Sequence, residues 1–288
     1  MFGIGEWFHR ITRCMDTELS LARLRRKQTL ADVVAGRTVL ITGASSGIGR
    51  AAALLIGAAG ATVGLVARRE EELREVAKEI ETLGGKPYVY PCDLTDFDAL
   101  DAMVEQVLAD HGGVDVLINN AGRSIRRRLD ESYDRPHDYD RTMQLNYQAP
   151  VRLMLAVVPG MRERQYGSIV NVLSIANMSG APGYAAYAAS KAALDSLCAN
   201  LQVETRSDNV RFTSVFMPMV RTAMLAPNQI YKDARALTPE QAAHAIAAGV
   251  IDRPRRVAPI LGRLTVLLDQ IIPEKLDNIR AKFFRQGM

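Results

Sequence analysis

Cysteine is scarce: Cys14, Cys92 and Cys198 are the only three in 288 residues. They are too few for a disulfide framework and too far apart for zinc-ligand spacing, so no structural metal is expected and a reducing, cytoplasmic setting is. No apolar run reaches the roughly eighteen residues of a membrane span. The first residues also lack the continuous apolar stretch of an export signal, so neither a transmembrane segment nor secretion is expected. A strong charge of one sign is missing too. The net charge is +4; residues 1 to 37 hold seven Lys/Arg against four Asp/Glu and residues 252 to 288 eight against four, which leaves −3 for the body between them. A nucleic-acid binder would more often carry its basic residues on the folded body, so no nucleic-acid partner is expected. Internal repeats and low-complexity tracts are absent as well.

What is present has the composition of an ordinary soluble α/β protein, 48% hydrophobic and 24% charged. Residues 37–42 form a short buried strand, since aliphatic and β-branched side chains run together up to Gly43, and an alanine-rich helix over 48–59 follows. The rhythm continues with strands at 62–66, 87–91 and 114–118 and helices at 70–83 and 97–110. Further on come a long helix over about 138–164, a strand at 168–173, a helix at 185–206, a strand at 210–217 and a helix opened by Thr238-Pro239 and closed at Ile251. Such alternation predicts a single-domain, doubly wound parallel sheet of six to seven strands with helices on both faces. The segment Met219 to Leu237 has little period and suits a substrate-covering loop.

Two motifs carry chemistry. Gly43-x-x-x-Gly47-x-Gly49, with Ser45, Ser46 and Ile48 inside it, joins a strand to a helix, the context in which glycines let the backbone approach a pyrophosphate held at a helix N-terminus. Tyr187 and Lys191 lie one helical turn apart, with Ser174 thirteen positions before the tyrosine. A neighbouring ammonium should lower the phenol pKa toward working pH and make Tyr187 a general acid or base. A dinucleotide cradle beside an acid able to protonate a carbonyl oxygen points to hydride transfer. A ribose-binding carboxylate would stand at the end of the second strand, where this chain has Ala67-Arg68-Arg69. Arginines suit a 2′-phosphate instead, which favours NADP(H).

These motifs, with Asp93 after the third strand, Asn119-Asn120-Ala121-Gly122 after the fourth and Asn146 in the following helix, occur in the order seen in short-chain dehydrogenases/reductases, and residues 36 to 225 resemble that family. The resemblance implies a Rossmann-type fold and defined roles. Tyr187 would be the proton donor or acceptor, Ser174 would hold the carbonyl oxygen, Lys191 would bond the nicotinamide ribose and Asn146 would support a proton-relay water. Asp93, with Leu94 beside it, would contact adenine, and Asn120, Ala121 and Gly122 would wall the adenosine side. Where the family often has Pro-Gly after its sixth strand this chain has Met217-Pro218, so the backbone is stiffer there; Val220 and Thr222 keep the usual spacing, and Thr222 can still bond the carboxamide. Pairing through the helix that carries Tyr187 would give a homodimer or homotetramer.

The domain plan is then a basic amphipathic N-terminal extension (1–36), a dinucleotide-binding catalytic domain (37–251) and a basic amphipathic C-terminal extension (252–288). Arg123, Arg126, Arg127 and Arg128 could attract the phosphate of coenzyme A or acyl carrier protein, or simply be solvated. Met178, Met217, Met219, Met224 and Leu225 suit an elongated apolar ligand or ordinary packing. Phe2, Ile4, Trp7, Phe8 and Ile11 near one end, and Ile260 to Ile272 near the other, sit beside basic residues and could lie on anionic lipid or pack on their own domain. The similarity is greatest to bacterial reductases of long-chain acyl or lipid carbonyls. Reduction of a fatty acyl-CoA to its aldehyde, NADP-dependent alcohol oxidation and, outside catalysis, a nucleotide-sensing binding module remain the alternatives.

Overall fold

Strands that are apolar on both faces need helices on both sides, and a parallel sheet supplies them. The computed structural model describes residues 28–178, 180–224 and 236–285. Seven strands, β1 (Thr38–Thr42), β2 (Thr62–Ala67), β3 (Lys86–Pro91), β4 (Val116–Asn119), β5 (Gly167–Ser174), β6 (Val210–Met217) and β7 (Arg256–Val257), pair in parallel in the order β3-β2-β1-β4-β5-β6-β7. The N-terminal residues Phe2 to Ile11, Cys14 and Leu225 lie outside the described residues.

Successive side chains of a strand point to opposite faces, and this sorts each apolar run into two cores. Val39 and Ile41 pack with the helices Gly47–Ala58, Glu70–Thr82 and Pro239–Asp252, whereas Leu40 between them joins Phe97–His111, Ala149–Glu163 and Ala185–Glu204. Helix ends follow local chemistry. Asp96 caps Phe97–His111 by accepting from the Ala99 N–H at 3.1 Å, and Gly112 ends that helix in the left-handed region. Thr238 and Gln241 exchange capping bonds at 3.2 and 2.9 Å before Pro239–Asp252. Cys92 and Cys198 are buried, which pushes their thiols up to about 11 and about 12 and leaves them unreactive.

Two parts differ from expectation. The single helix over 138–164 is instead Pro136–Met143, a π-turn at Gln144–Gln148 and a second helix, Ala149–Glu163. Pro150 has no N–H to give to Asn146 four residues back, and the Ala149 N–H reaches five residues back to the Gln144 carbonyl. The other is β7, which pairs Arg256 with Ser214 and so brings the 252–288 segment into the sheet before the helices Ile260–Ile271 and Pro273–Arg285. Two residues are too short to show a period.

The loop after β4 is fixed by a buried carboxylate. Asp138 accepts from Arg127 Nε at 2.7 Å and Arg135 Nε at 3.2 Å. Burial pushes its pKa up, but the two guanidinium groups outweigh that and hold it below the ordinary carboxylate value. The stability Asp138 contributes is therefore present above about pH 4 and is lost as pH falls through the lower folded value. Asp138→Asn should cost about 1–3 kcal/mol at pH 7, with the gap to the parent shrinking below about pH 4. Thermal unfolding of both proteins across that range checks it, and a gap that does not change with pH would refute it.

Candidate active site

The chain leaves the sheet in opposite directions from β1 and β4, and the crevice beyond their C-terminal ends is where an open α/β sheet receives ligands. Gly43, directly after β1, has φ +68°, and a Cβ on it would stand 2.9 Å from Asn120 Nδ2. A Cβ on Gly49 would stand 2.1 Å from the Gly43 carbonyl oxygen, so the helix Gly47–Ala58 can pack this tightly only without one. Its N-cap, Ser46, makes no side-chain capping bond, so the first N–H groups lack that acceptor where Ser46, Gly47 and Ile48 line the crevice. Asn120 donates from Nδ2 to the Thr42 carbonyl at 2.9 Å, and the N–H groups of Asn120 and Ala121 both donate to Thr42 Oγ1 at 3.0 Å.

Ser174 ends β5, and the helix Ala185–Glu204 presents Tyr187 and Lys191 on one face beside it. Lys191 is 4% exposed and donates to the Val172 carbonyl at 2.8 Å. Burial lowers its pKa to about 8. Burial also raises the Tyr187 phenol, with a hydrogen bond to Ser174 pulling the other way. This corrects the expectation that the ammonium lowers the phenol: desolvation governs both groups, and the amine is turned to Val172. Asn146 is fully buried in the π-turn; its Oδ1 accepts from the Arg123 N–H at 2.8 Å, and its Nδ2 donates to the Arg123 carbonyl and to Ser190 Oγ, both at 2.9 Å.

With two exceptions, every site residue selected from the sequence lines one cavity of about 1060 Å³. Gly49 is packed beneath the turn and Asn146 lies behind the wall. Arg68 is exposed and makes no ion pair among the described residues, while Arg69 is held by Glu72 at 2.5 Å. Asp93 Oδ1 accepts from the Thr95 N–H and hydroxyl at 3.0 and 2.8 Å. Its burial is outweighed by those bonds and by Arg68 and Arg123, so its pKa is lowered. Pro218, Val220 and Thr222 follow β6 along the wall, and Val220 bridges to Leu237 across the 225–235 stretch, which lies outside the described residues.

Met217, Met219 and Met224 line the same cavity; Met178 instead packs by Gly262. The sequence does not point to Tyr184, whose ring meets that of Tyr187 edge-on at 6.4 Å, or to Leu276, Ile279 and Phe284 of the last helix, while Leu268 and Arg280, expected in a stretch on lipid or packed on the domain, also line the wall. Among these, Leu276, Ile279, Arg280 and Phe284 recur at i, i+3, i+4 and i+8, a helical stripe that the sequence does contain. Arg280 joins the two helices through Asp269 at 2.7 Å and pairs with Asp277 of its own helix at 3.1 Å. No helix among the described residues is long and apolar enough to cross a membrane.

The profile described as short chain dehydrogenase matches residues 37–232. An uncharacterised oxidoreductase of Mycobacterium tuberculosis is 55% identical over 260 residues, covering 89% of this chain and 76% of that one. A fatty acyl-CoA reductase of Acinetobacter baylyi is 50% identical over 246 residues, 85% of this chain and 83% of that one. Among solved structures, a metagenomic short-chain oxidoreductase in complex with NADP superposes with a TM-score of 0.68 at 34% identity, over 78% of this chain and 97% of that one.

The close approach at Gly49 can be tested without ligand. Gly49→Ala should cost about 1–3 kcal/mol, because backbone must move. In Gly262→Ala the new methyl would meet Met178 at 3.5 Å and Pro259 at 3.9 Å, both ordinary van der Waals contacts, and this helical site should gain about 0.5–1 kcal/mol. Urea unfolding of the two variants measures both, and equal effects would contradict the packing described.

Proposed function

The chain belongs to the short-chain dehydrogenase family, and on that footing we propose that it is an NADPH-dependent reductase of the carbonyl of a hydrophobic, lipid-like substrate, a fatty acyl thioester foremost. The observation that carries this is a single cavity in which Ser174 and Tyr187 stand next to an apolar wall of Met217, Met219, Leu268, Leu276, Ile279 and Phe284. The fatty acyl-CoA reductase at 50% identity supports the thioester. Keto-acyl esters and fatty aldehydes present the same carbonyl to the same residues.

The cradle fits a dinucleotide phosphate: glycines where a Cβ would collide, N–H groups without a side-chain cap at a helix start, and an exposed Arg68, in no ion pair among the described residues, where an NAD-binding chain would carry a carboxylate. When bound, this cofactor supplies the hydride. Ser174 Oγ holds the carbonyl oxygen, and Tyr187 gives it a proton. A phenol whose pKa is raised by burial stays protonated at neutral pH, which suits reduction better than oxidation. Lys191, donating to Val172, closes the wall next to Gly122 and Asn146. With a thioester, hydride adds at carbon and a proton at oxygen to give a hemithioacetal. Its C–S bond then breaks, the hydroxyl proton is released and the sulfur leaves as a thiol. Thioester, NADPH and one proton thus become aldehyde, thiol and NADP.

Exposed Leu155 and Val203, on Ala149–Glu163 and Ala185–Glu204, support pairing of two copies through these helices. Ile260, Leu264, Leu267 and Ile271 form an exposed stripe that supports contact of the C-terminal helices with lipid or a partner.

Tyr187→Phe should cut NADPH-dependent turnover of acyl-CoA by about 100-fold or more while leaving NADPH affinity nearly unchanged; full activity in that variant would end the assignment. Arg68→Ala should weaken NADPH about tenfold or more through the lost charge-assisted bonds and affect NADH far less. Fluorescence titration of both cofactors checks it, and equal losses would overturn the 2′-phosphate argument.

A further inference from the structure

The cavity is lined by six basic side chains, Arg68, Arg69, Arg123, Arg126, Lys191 and Arg280, and by one acid, Asp93. Five of the six have a counterpart. Arg69 is paired with Glu72, Lys191 donates to Val172, Arg280 is held by Asp269 and Asp277, and Arg68 and Arg123 both act on Asp93. Arg126 is left over: it makes no ion pair or hydrogen bond among the described residues, and its Nε is shielded from solvent with nothing to donate to. Its neighbours behave differently, with Arg127 on Asp138 and Arg128 on Asp130. A shielded Nε–H without an acceptor is costly, and the chemistry that satisfies it together with the other guanidinium donors is a planar or tetrahedral oxyanion met by the fork.

The backbone around Arg126 is held in place before any ligand arrives. The Arg127 N–H donates to the Gly183 carbonyl at 2.7 Å, Arg127 is clamped to Asp138, and Asn146 holds Arg123 by both its N–H and its carbonyl. A Cβ on Gly183 would lie 3.7 Å from Arg126 Cγ and 3.8 Å from Phe284 Cε2. Arg126 therefore stands where the loop leading into the Tyr187 helix meets the last helix, beside the apolar wall and not at the Arg68 end of the cradle.

We propose that Arg126 is a specificity-determining residue of the substrate site and binds an anionic group, phosphate or carboxylate, carried by the substrate itself. The proposal deepens the lipid-carbonyl reading and rests on it for the identity of the substrate. The phosphate source is a phosphopantetheine-type carrier such as coenzyme A; the carboxylate source is a long-chain oxo acid.

The test compares the parent with Arg126→Ala and Arg126→Lys on a long-chain acyl-CoA, an oxo acid and the uncharged aldehyde of the same length, following NADPH consumption. In Arg126→Ala the KM for one charged substrate, relative to that for the aldehyde, should rise at least about tenfold, the equivalent of a lost charge-assisted bond. Arg126→Lys should recover part of that rise, since it keeps the charge but not the fork. A rise with acyl-CoA identifies the phosphate source and a rise with the oxo acid the carboxylate. Equal changes for charged and uncharged substrates, or none, would overturn the proposal. Calorimetry of the NADP-loaded protein with coenzyme A and with a fatty acid decides the case in which the parent reduces none of the three. Binding that Arg126→Ala abolishes would uphold the anion site while the lipid-carbonyl reading falls; no binding, or binding that survives the substitution, would sink the anion site.

Discussion

The hydroxyl of Thr42 holds together the two strand ends on which the cavity is built. It donates toward the Ile118 carbonyl at 3.4 Å and accepts from the Asn120 and Ala121 N–H groups, so the chain leaving β4 is fixed to the chain leaving β1. Asn120 adds bonds from its side chain to the Thr42 and Gly43 carbonyls. The turn through Gly43 and the segment through Gly122 are thereby locked at a set separation, and Lys191 and Asn146 pack against the second of them. Opening this junction would displace the glycine turn and the wall that packs against Lys191 and Asn146 together.

Around that junction, desolvation sets the chemistry more than charge pairing does. Tyr187 is kept as a phenol and Lys191 is brought to about 8 by the same burial. On the reading proposed above, the protonated Tyr187 phenol would meet a developing oxyanion with little reorganisation, and Lys191, still largely an ammonium at neutral pH, would add a positive charge behind it. Arg68 and Arg126 line other parts of the same wall, where on the proposals above they would hold anionic groups of the ligands.

Strands β1 and β4 were legible as aliphatic or β-branched runs, β2, β5 and β6 as such runs broken by a few small or polar residues, β3 by its place in the strand–helix rhythm, and the glycine turn because its spacing sits between a strand and a helix. Tyr187, Lys191 and Ser174 could be selected from their spacing, and the fold brings all three to one cavity. Their proton affinities could not be read in advance, since burial depends on tertiary packing. Nor could the run Arg123 to Arg128 be sorted into paired and unpaired members before Asp138 was seen to turn toward Arg127. β7 is too short to announce itself, and the stripe through Leu276, Ile279 and Phe284 was present in the sequence but had no visible target.

The π-turn at Gln144–Gln148 has a consequence for how this segment can change. An α-helix advances about 100° per residue, so removing one residue there would restore a regular helix and rotate everything on one side of the deletion against the other. Asn146 would swing away from the Arg123 backbone while the sheet stayed intact. The stretch can therefore exchange many of its outward side chains, but its length is fixed, and a single-codon deletion would be more damaging than most missense changes in it.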